Sequence, residues 1–160
     1  MQTFLPYPAM RDSLDALDNK RLNKQILETY QILKVLSGES PSGAWRNHPA
    51  VLMWVGAENE LWRYGQVAMA LAEMRGIKTD NNKSNYKTLA KIAATRWGDE
   101  EPAWRKNPTT IKRVTTTHKA NLYRKDPEYY YDFADAVTSK YNKPCCDACQ
   151  YYWPTHPLRK

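Results

Sequence analysis

The stretch "DNKRLNKQILETYQIL", residues 18–33, has the apolar spacing of an amphipathic helix. One narrow stripe of the helical wheel carries Leu22, Ile26, Thr29 and Leu33. We expect this stripe to be buried against other helices, because a surface helix turns its apolar side to the core. The stretch therefore predicts a long helix near the start of a mainly α protein.

A second, wholly polar line of the same helix holds Glu28, with Arg21, Lys24 and Gln31 beside it. One interpretation is a solvated face, where a Lys24–Glu28 pair contributes about 0.2–0.5 kcal/mol. The other is that Glu28 is an acid/base residue or stabilises developing positive charge, while Arg21 and Lys24 guide a phosphate backbone. The pattern alone leaves both interpretations open.

The length of 160 residues suits one domain with a real core. No apolar run approaches the roughly 20 residues that span a bilayer, and the amino terminus lacks a secretion signal, so we expect a cytosolic protein and no membrane partner. We expect a compact single domain over residues 1–160, with a short extended amino-terminal arm and a cysteine-containing tail at 143–160. We also expect a monomer.

Helix signals divide the chain after the arm. A first helix is predicted from Asp12 or Ser13 to Ser37, stopped by Gly38, and Asn47 or His48 should cap a second helical region with Pro49 in its first turn. That region should run to Gly76, with Gly56 as a kink or break. The remaining predictions are a loop at 77–85 and helices at 86–97, 110–124 and 126–137.

The net charge of +7 favours an anionic partner, for which nucleic acid is the usual choice. Basic residues outnumber acidic ones seven to one between Glu101 and Lys125. They are Arg105, Lys106, Lys112, Arg113, Lys119, Arg124 and Lys125. Trp104 and Tyr123 in this segment can stack on unpaired bases, or the segment is a solvated face with its aromatic side chains turned inward.

Two histidines have both structural and functional interpretations. His48, in "WRNHPAVLMW" (45–54), is either a helix cap or a donor to a phosphate at a helix amino terminus. His118, in "THKANLYRKDP" (117–127), lies among basic residues and reads most simply as a surface histidine on a helix.

The tail "KPCCDACQYYWPTHPLRK" (143–160) holds all three cysteines. Cys146 and Cys149 have the two-residue spacing of a zinc knuckle, and Cys145 and His156 are further possible ligands. Adjacent cysteines rarely bind one ion comfortably, and no second spaced pair exists. The sequence therefore favours free thiols over a zinc site and leaves zinc as the alternative.

Three segments together resemble one family, the pyrimidine dimer DNA glycosylases. "MQTFLPYP" (1–8) with "LDNKRLNKQILETYQIL" (17–33) is similar to that family's amino-terminal arm and first helix. "WRNHPAVLMWVGAENELWRYGQVAMALAEMRG" (45–76) resembles its central helices, and "THKANLYRKDPEYY" (117–130) its basic helix and turn. The resemblance implies a mostly helical domain without a metal or organic cofactor, acting on double-stranded DNA.

The resemblance also implies a chemistry: an amino-terminal α-amine attacks the sugar, displaces a damaged pyrimidine such as a UV photodimer, and forms an imine that leads to AP lyase cleavage. An α-amine titrates near about 7.7–8.0, so more of it is neutral at pH 7 than of a lysine. Glu28 matches the assisting glutamate of the first helix. Gln2 departs from the family, because its bulk normally prevents removal of Met1, so the amine belongs to Met1 or to Gln2.

The resemblance and the basic groups together predict the DNA contacts. The expected DNA-binding residues are Arg21, Lys24, Arg46, Asn47, His48, His118, Lys119, Arg124 and Lys125. Trp45, Trp54 and Trp104 are candidates to fill the space left by a nucleotide turned out of the duplex. The alternative function is a non-catalytic DNA-binding protein on the same scaffold.

Overall fold

The computed structural model describes residues 1–155 and is mainly α, as predicted. Its α-helices are α1 (Met10–Asp15), α2 (Asn19–Leu36), α3 (Pro49–Leu52), α4 (Glu58–Met74), α5 (Asp80–Ala93), α6 (Pro108–Lys125) and α7 (Ala134–Thr138). Short 3-10 turns occupy Ala94–Arg96, Ala103–Lys106 and Tyr131–Phe133. The described residues form no strand, and none of their helices is long and apolar enough to cross a membrane. His156 lies outside the described residues.

Helix α2 buries the predicted stripe completely, because Leu22, Ile26, Thr29 and Leu33 are all inaccessible to solvent. Gly38 follows its end with a φ of +74°, a conformation that glycine adopts without strain. The prediction of one continuous helix from residue 12 is wrong. The Asp18 side chain accepts a hydrogen bond from the Arg21 amide at 3.0 Å, and this cap separates α1 from α2.

The second helical region divides at Gly56, as predicted. His48 caps α3 through Nδ1, which accepts from the Ala50 amide at 3.1 Å, and Pro49 occupies the first turn. Gly56 has a φ of +79°, so the chain turns sharply there before α4 begins.

Two predicted boundaries are wrong. Residues 80–85 belong to α5, not to a loop, because Tyr86, Leu89 and Ala93 give this helix one buried face and its polar first turn faces solvent. The final helix begins at Ala134, not near residue 126. Asp126 instead forms a turn, accepting from the Tyr129 amide through its side chain and from the Tyr130 amide through its carbonyl.

The core forms where α2 packs along α4, with α5 against α2 and α7 against α6. The amino-terminal arm enters this core: residues 2–6 are all buried although they belong to no helix. Buried backbone outside a helix needs hydrogen-bond partners elsewhere. The partners of the arm define the candidate site.

Candidate active site

Gln25 of α2 holds the arm in place. Its Oε1 accepts from the Phe4 amide at 2.7 Å, and its Nε2 donates to the Gln2 carbonyl at 3.2 Å. The Tyr64 hydroxyl from α4 lies 2.7 Å from Gln25 Oε1 and 2.9 Å from the Phe4 carbonyl oxygen. Burial raises the pKa of Tyr64 well above its usual value, which keeps this hydroxyl a donor. The arm is therefore fixed by side chains, since residues 1–155 contain no strand that could pair with it.

Glu28 lies next to this cluster. The same Gln25 Nε2 donates to Glu28 Oε2 at 3.2 Å, so one amide group contacts both the Gln2 backbone and the carboxylate. Glu28 is only 9% exposed, and the interpretation of its position as a solvated face is wrong. Lys24 remains largely exposed and lies 3.7 Å from Glu28 Oε1. Glu28 is therefore a buried carboxylate with a cation at its outer side.

Met1 extends past this cluster into an open cleft of about 400 Å³. The cleft is lined by Met1, Gln31, Lys34, Val35, Ser40, Ser42 and Trp45. Trp45 is 46% exposed, and Lys34 brings a positive charge to the cleft. The start of the chain thus meets a surface that combines a cation, hydroxyl groups and an exposed indole ring.

Tyr151, which comes late in the sequence, packs over this cluster. Burial raises the pKa of its hydroxyl to about 12, a hydrogen bond with the Gln2 side chain opposes this rise, and the negative charge of Glu28 adds to it. The phenol therefore stays protonated at neutral pH. Its ring packs edge-on against Phe4 at 6.4 Å between ring centroids.

His118 is fully buried, so the interpretation as a surface histidine is wrong. Its Nδ1 accepts from the Leu5 amide at 2.8 Å, and burial lowers the pKa of its imidazole to about 3. The neutral ring therefore carries its hydrogen on Nε2, close to Tyr151 and Trp153. His118 anchors the arm to α6 and has no surface to offer to DNA.

The other predicted DNA-binding residues occupy three kinds of environment. The exposed residues are Lys24, Arg46, Asn47, Arg124 and Lys125. Lys119 is half-buried, with its Nζ 4.2 Å from the centroid of the Tyr7 ring, and burial lowers its pKa. His48 is the cap of α3.

Arg21 is held by acidic neighbours, which limits its freedom to contact a phosphate. Its Nη1 lies 2.5 Å from Asp18 Oδ2 and 3.6 Å from Asp126 Oδ2. Tyr130 also donates a hydrogen bond to Asp18 at 2.6 Å. Burial opposes ionisation of Asp18, but the hydrogen bonds from Tyr130 and Arg21 outweigh it and hold its pKa below the usual value.

Among the tryptophans proposed to fill a vacated nucleotide position, Trp54 and Trp104 are buried and cannot do so. Trp54 donates to Thr3 Oγ1 at 3.1 Å, and Trp104 donates to the Met53 carbonyl at 2.8 Å. Both therefore support the core, and the indole ring of the basic segment, Trp104, faces inward. Trp45 is the candidate that remains.

The arm, α2 and α4, whose contacts build this site, all lie within residues 1–85. The family model described as pyrimidine dimer DNA glycosylase matches residues 1–85, just over half of the chain. The chain belongs to the pyrimidine dimer DNA glycosylase family. Membership supports a DNA glycosylase function with DNA as the substrate. No curated protein and no solved structure matches the chain.

Three members of the site were missed by sequence reasoning: Gln25, Tyr64 and Tyr151. Gln25 lies one helical turn before Glu28, so its position beside the polar line was the available signal. Tyr64 belongs to the buried face of α4, but the role of its hydroxyl depends on where the arm runs. Tyr151 had no signal, because only the fold brings residue 151 to residue 2.

Proposed function

We propose that this family member excises a damaged pyrimidine, such as a UV photodimer, from double-stranded DNA and then cleaves the strand as an AP lyase. The observation that carries the proposal is the shared amide of Gln25, which contacts both the Gln2 carbonyl and the Glu28 carboxylate at 3.2 Å. It keeps the amino terminus and a buried acid together. Those are the two groups that an imine mechanism requires.

The first step uses the free α-amine of the arm, which belongs to Met1, or to Gln2 where Met1 is removed. The nitrogen lone pair attacks C1′ of the sugar, and the C1′–base bond breaks with its electron pair going to the base. The nitrogen loses one of its two protons, and the sugar ring then opens as its oxygen takes a proton, which leaves a protonated imine at C1′. The negative charge of Glu28 stabilises the positive charge that develops on the sugar.

The second step cleaves the strand by β-elimination. Glu28 takes a proton from C2′, a double bond forms between C2′ and C3′, and the C3′–O bond breaks with its electrons going to the phosphate. Water then hydrolyses the imine and frees the amine. A carboxylate enclosed beside the amine suits both steps, because an enclosed charge acts more strongly than one in bulk water.

The DNA approaches the cleft at Met1. Trp45 is the exposed ring that enters the duplex, and Lys34 with the exposed Lys24 and Arg46 contacts phosphates on either side. Arg124 and Lys125 extend this basic surface at the end of α6. We propose that one chain acts alone, because every group in the scheme comes from the same protomer.

The imine predicts a specific chemical product. Purified protein incubated with borohydride and either abasic or UV-irradiated duplex DNA should form a covalent adduct. After digestion with trypsin, the adduct should be found on peptide 1–11, the amino-terminal fragment that ends at the first arginine. Mass spectrometry of that peptide should identify the modified residue. An adduct on any lysine-containing peptide would contradict the assignment of the α-amine.

Glu28→Gln tests the acid. The variant keeps the size of the side chain and a contact with Gln25, so the fold should survive, but glycosylase and lyase rates should fall by about 10²–10⁴-fold. Glu101→Gln removes an exposed carboxylate elsewhere and should act at the wild-type rate. Wild-type protein that binds DNA in a salt-sensitive manner yet forms no adduct would favour the non-catalytic DNA-binding function.

A further inference from the structure

The three cysteines of the chain converge in space. The Sγ atoms of Cys145, Cys146 and Cys149 all lie within 4.8 Å of one another, and those of Cys146 and Cys149 are 3.0 Å apart. Four sulfurs around zinc at about 2.3 Å stand roughly 3.8 Å from each other. Shifts of about an ångström would therefore turn the cluster into one face of a zinc tetrahedron.

The geometry points to a zinc site formed by the thiolates of Cys145, Cys146 and Cys149. A disulfide needs two sulfurs, whereas here the third sulfur joins the same cluster, which favours a metal over a cross-link. In the sequence, the adjacency of Cys145 and Cys146 argued against their binding one ion. The loop removes this objection, because it turns so that both sulfurs lie on the same side. Among residues 1–155 no fourth histidine, cysteine or carboxylate joins the cluster, so within this part of the chain the fourth zinc position falls to a small ligand such as water.

The loop that carries the cysteines is anchored to α6 at both ends. Arg113 donates to the Lys143 carbonyl at 3.0 Å, and Asn121 donates to the Gln150 carbonyl at 2.6 Å. The Tyr152 amide donates to Thr117 Oγ1 at 3.2 Å. Anchors at both ends hold the thiols in position before any metal arrives, so binding costs little ordering of the chain.

The loop has no helix, no strand and no apolar core of its own between residues 143 and 152. Structural zinc is one means of fixing such a segment, because metal–ligand bonds can replace a core of its own. The segment leads directly into Tyr151 and Trp153, which pack on His118. Zinc at the three thiols would hold these aromatic side chains against the amino-terminal arm.

Metal analysis of the full chain, purified without a tag under reducing conditions, tests the site. We expect one zinc per chain after reconstitution with equimolar zinc, and a thiolate-to-metal absorption band when cobalt replaces zinc. Since all three cysteines of the chain belong to this cluster, every thiol signal reports on it. Cys145→Ser, Cys146→Ser and Cys149→Ser should each weaken zinc binding by at least tenfold.

Asp147→Asn is the matched control, because it changes an exposed carboxylate within the same loop and should keep the zinc. Chelation of the wild-type protein is a second measurement that needs no variant, and it should lower the melting temperature and change the total tryptophan fluorescence, to which Trp153 contributes. Failure of the reconstituted protein to hold zinc would overturn the proposal. A disulfide between Cys146 and Cys149 that forms in the presence of zinc in protein purified without a reductant, seen as a loss of two thiols, would overturn it as well.

Discussion

At the scale of single residues, Gln25 shows how one uncharged side chain can organise a site. Its amide oxygen accepts a hydrogen bond from the arm, and its amide nitrogen donates one hydrogen bond to the arm and another to Glu28. An amide can donate and accept hydrogen bonds at the same time without bringing a charge of its own beside the carboxylate. Gln25 is therefore a positioning residue for both halves of the proposed site.

Replacement of Gln25 by methionine keeps the volume of the side chain but removes its hydrogen bonds. The Phe4 amide and the Gln2 carbonyl would then be buried without partners, at a cost of roughly 1–3 kcal/mol for each group. We expect urea denaturation to show a loss of about 2–6 kcal/mol in the free energy of unfolding for the two groups together. Gln31→Met, at an exposed position of the same helix, should change the free energy of unfolding by less than about 0.5 kcal/mol.

At the scale of elements, the packing of α4 on α5 depends on Gly65. An ideal Cβ at this position would lie 2.5 Å from the Tyr86 hydroxyl oxygen, and Tyr86 is itself fixed by donating to the Ile26 carbonyl at 2.8 Å. Glycine is unfavourable inside a helix by about 1 kcal/mol relative to alanine. Glycine at this position therefore lowers helix propensity but leaves room for Tyr86 of α5, which contacts both α4 and α2.

Gly65→Ala should destabilise the protein although it raises helix propensity. Overpacking a filled site typically costs about 1–3 kcal/mol, which exceeds the propensity gain in most of that range. Thermal unfolding monitored by circular dichroism would measure the net change in stability from these two opposing effects. Ala70→Gly, on the exposed side of α4, isolates propensity and should cost about 1 kcal/mol; a more stable Gly65→Ala protein would contradict the packing argument.

At the scale of the whole molecule, His118 links three segments that are distant in sequence. It lies on α6, accepts from Leu5 of the arm, and contacts the rings of Tyr151 and Trp153. Each segment contributes to the burial that keeps the imidazole neutral. Protonation of this one ring would disturb all three segments together.

The lowered pKa of His118 predicts an acid-sensitive fold. An unfolded histidine titrates near about 6.5, whereas the folded pKa of His118 is about 3. Between these values the unfolded chain binds a proton that the folded chain does not, so the free energy of unfolding falls as pH drops through this window. His118→Gln keeps an acceptor for the Leu5 amide but does not titrate, and urea denaturation from pH 7 to pH 4 should show a flatter profile for this variant.

The sequence by itself determined the helices with clear apolar spacing and clear caps. The stripe of α2, the cap at His48 and the breaks at Gly38 and Gly56 were predicted, because each depends on residues within a turn or two of each other. Where the local signal was weak, prediction failed. The polar first turn of α5 looked like a loop, and the Asp18 cap that divides α1 from α2 was overlooked.

The candidate site also combines features that local sequence predicts with features that only the fold decides. Glu28 was a candidate from sequence because it lies on a polar line of α2, and the family resemblance came from segments that are contiguous in the chain. Only the tertiary structure decided that Glu28 is enclosed and shares Gln25 with the arm, that His118 is in the core, and that the three thiols meet. Burial and hydrogen bonds between distant residues depend on how the elements pack, and no local pattern of residues encodes that packing.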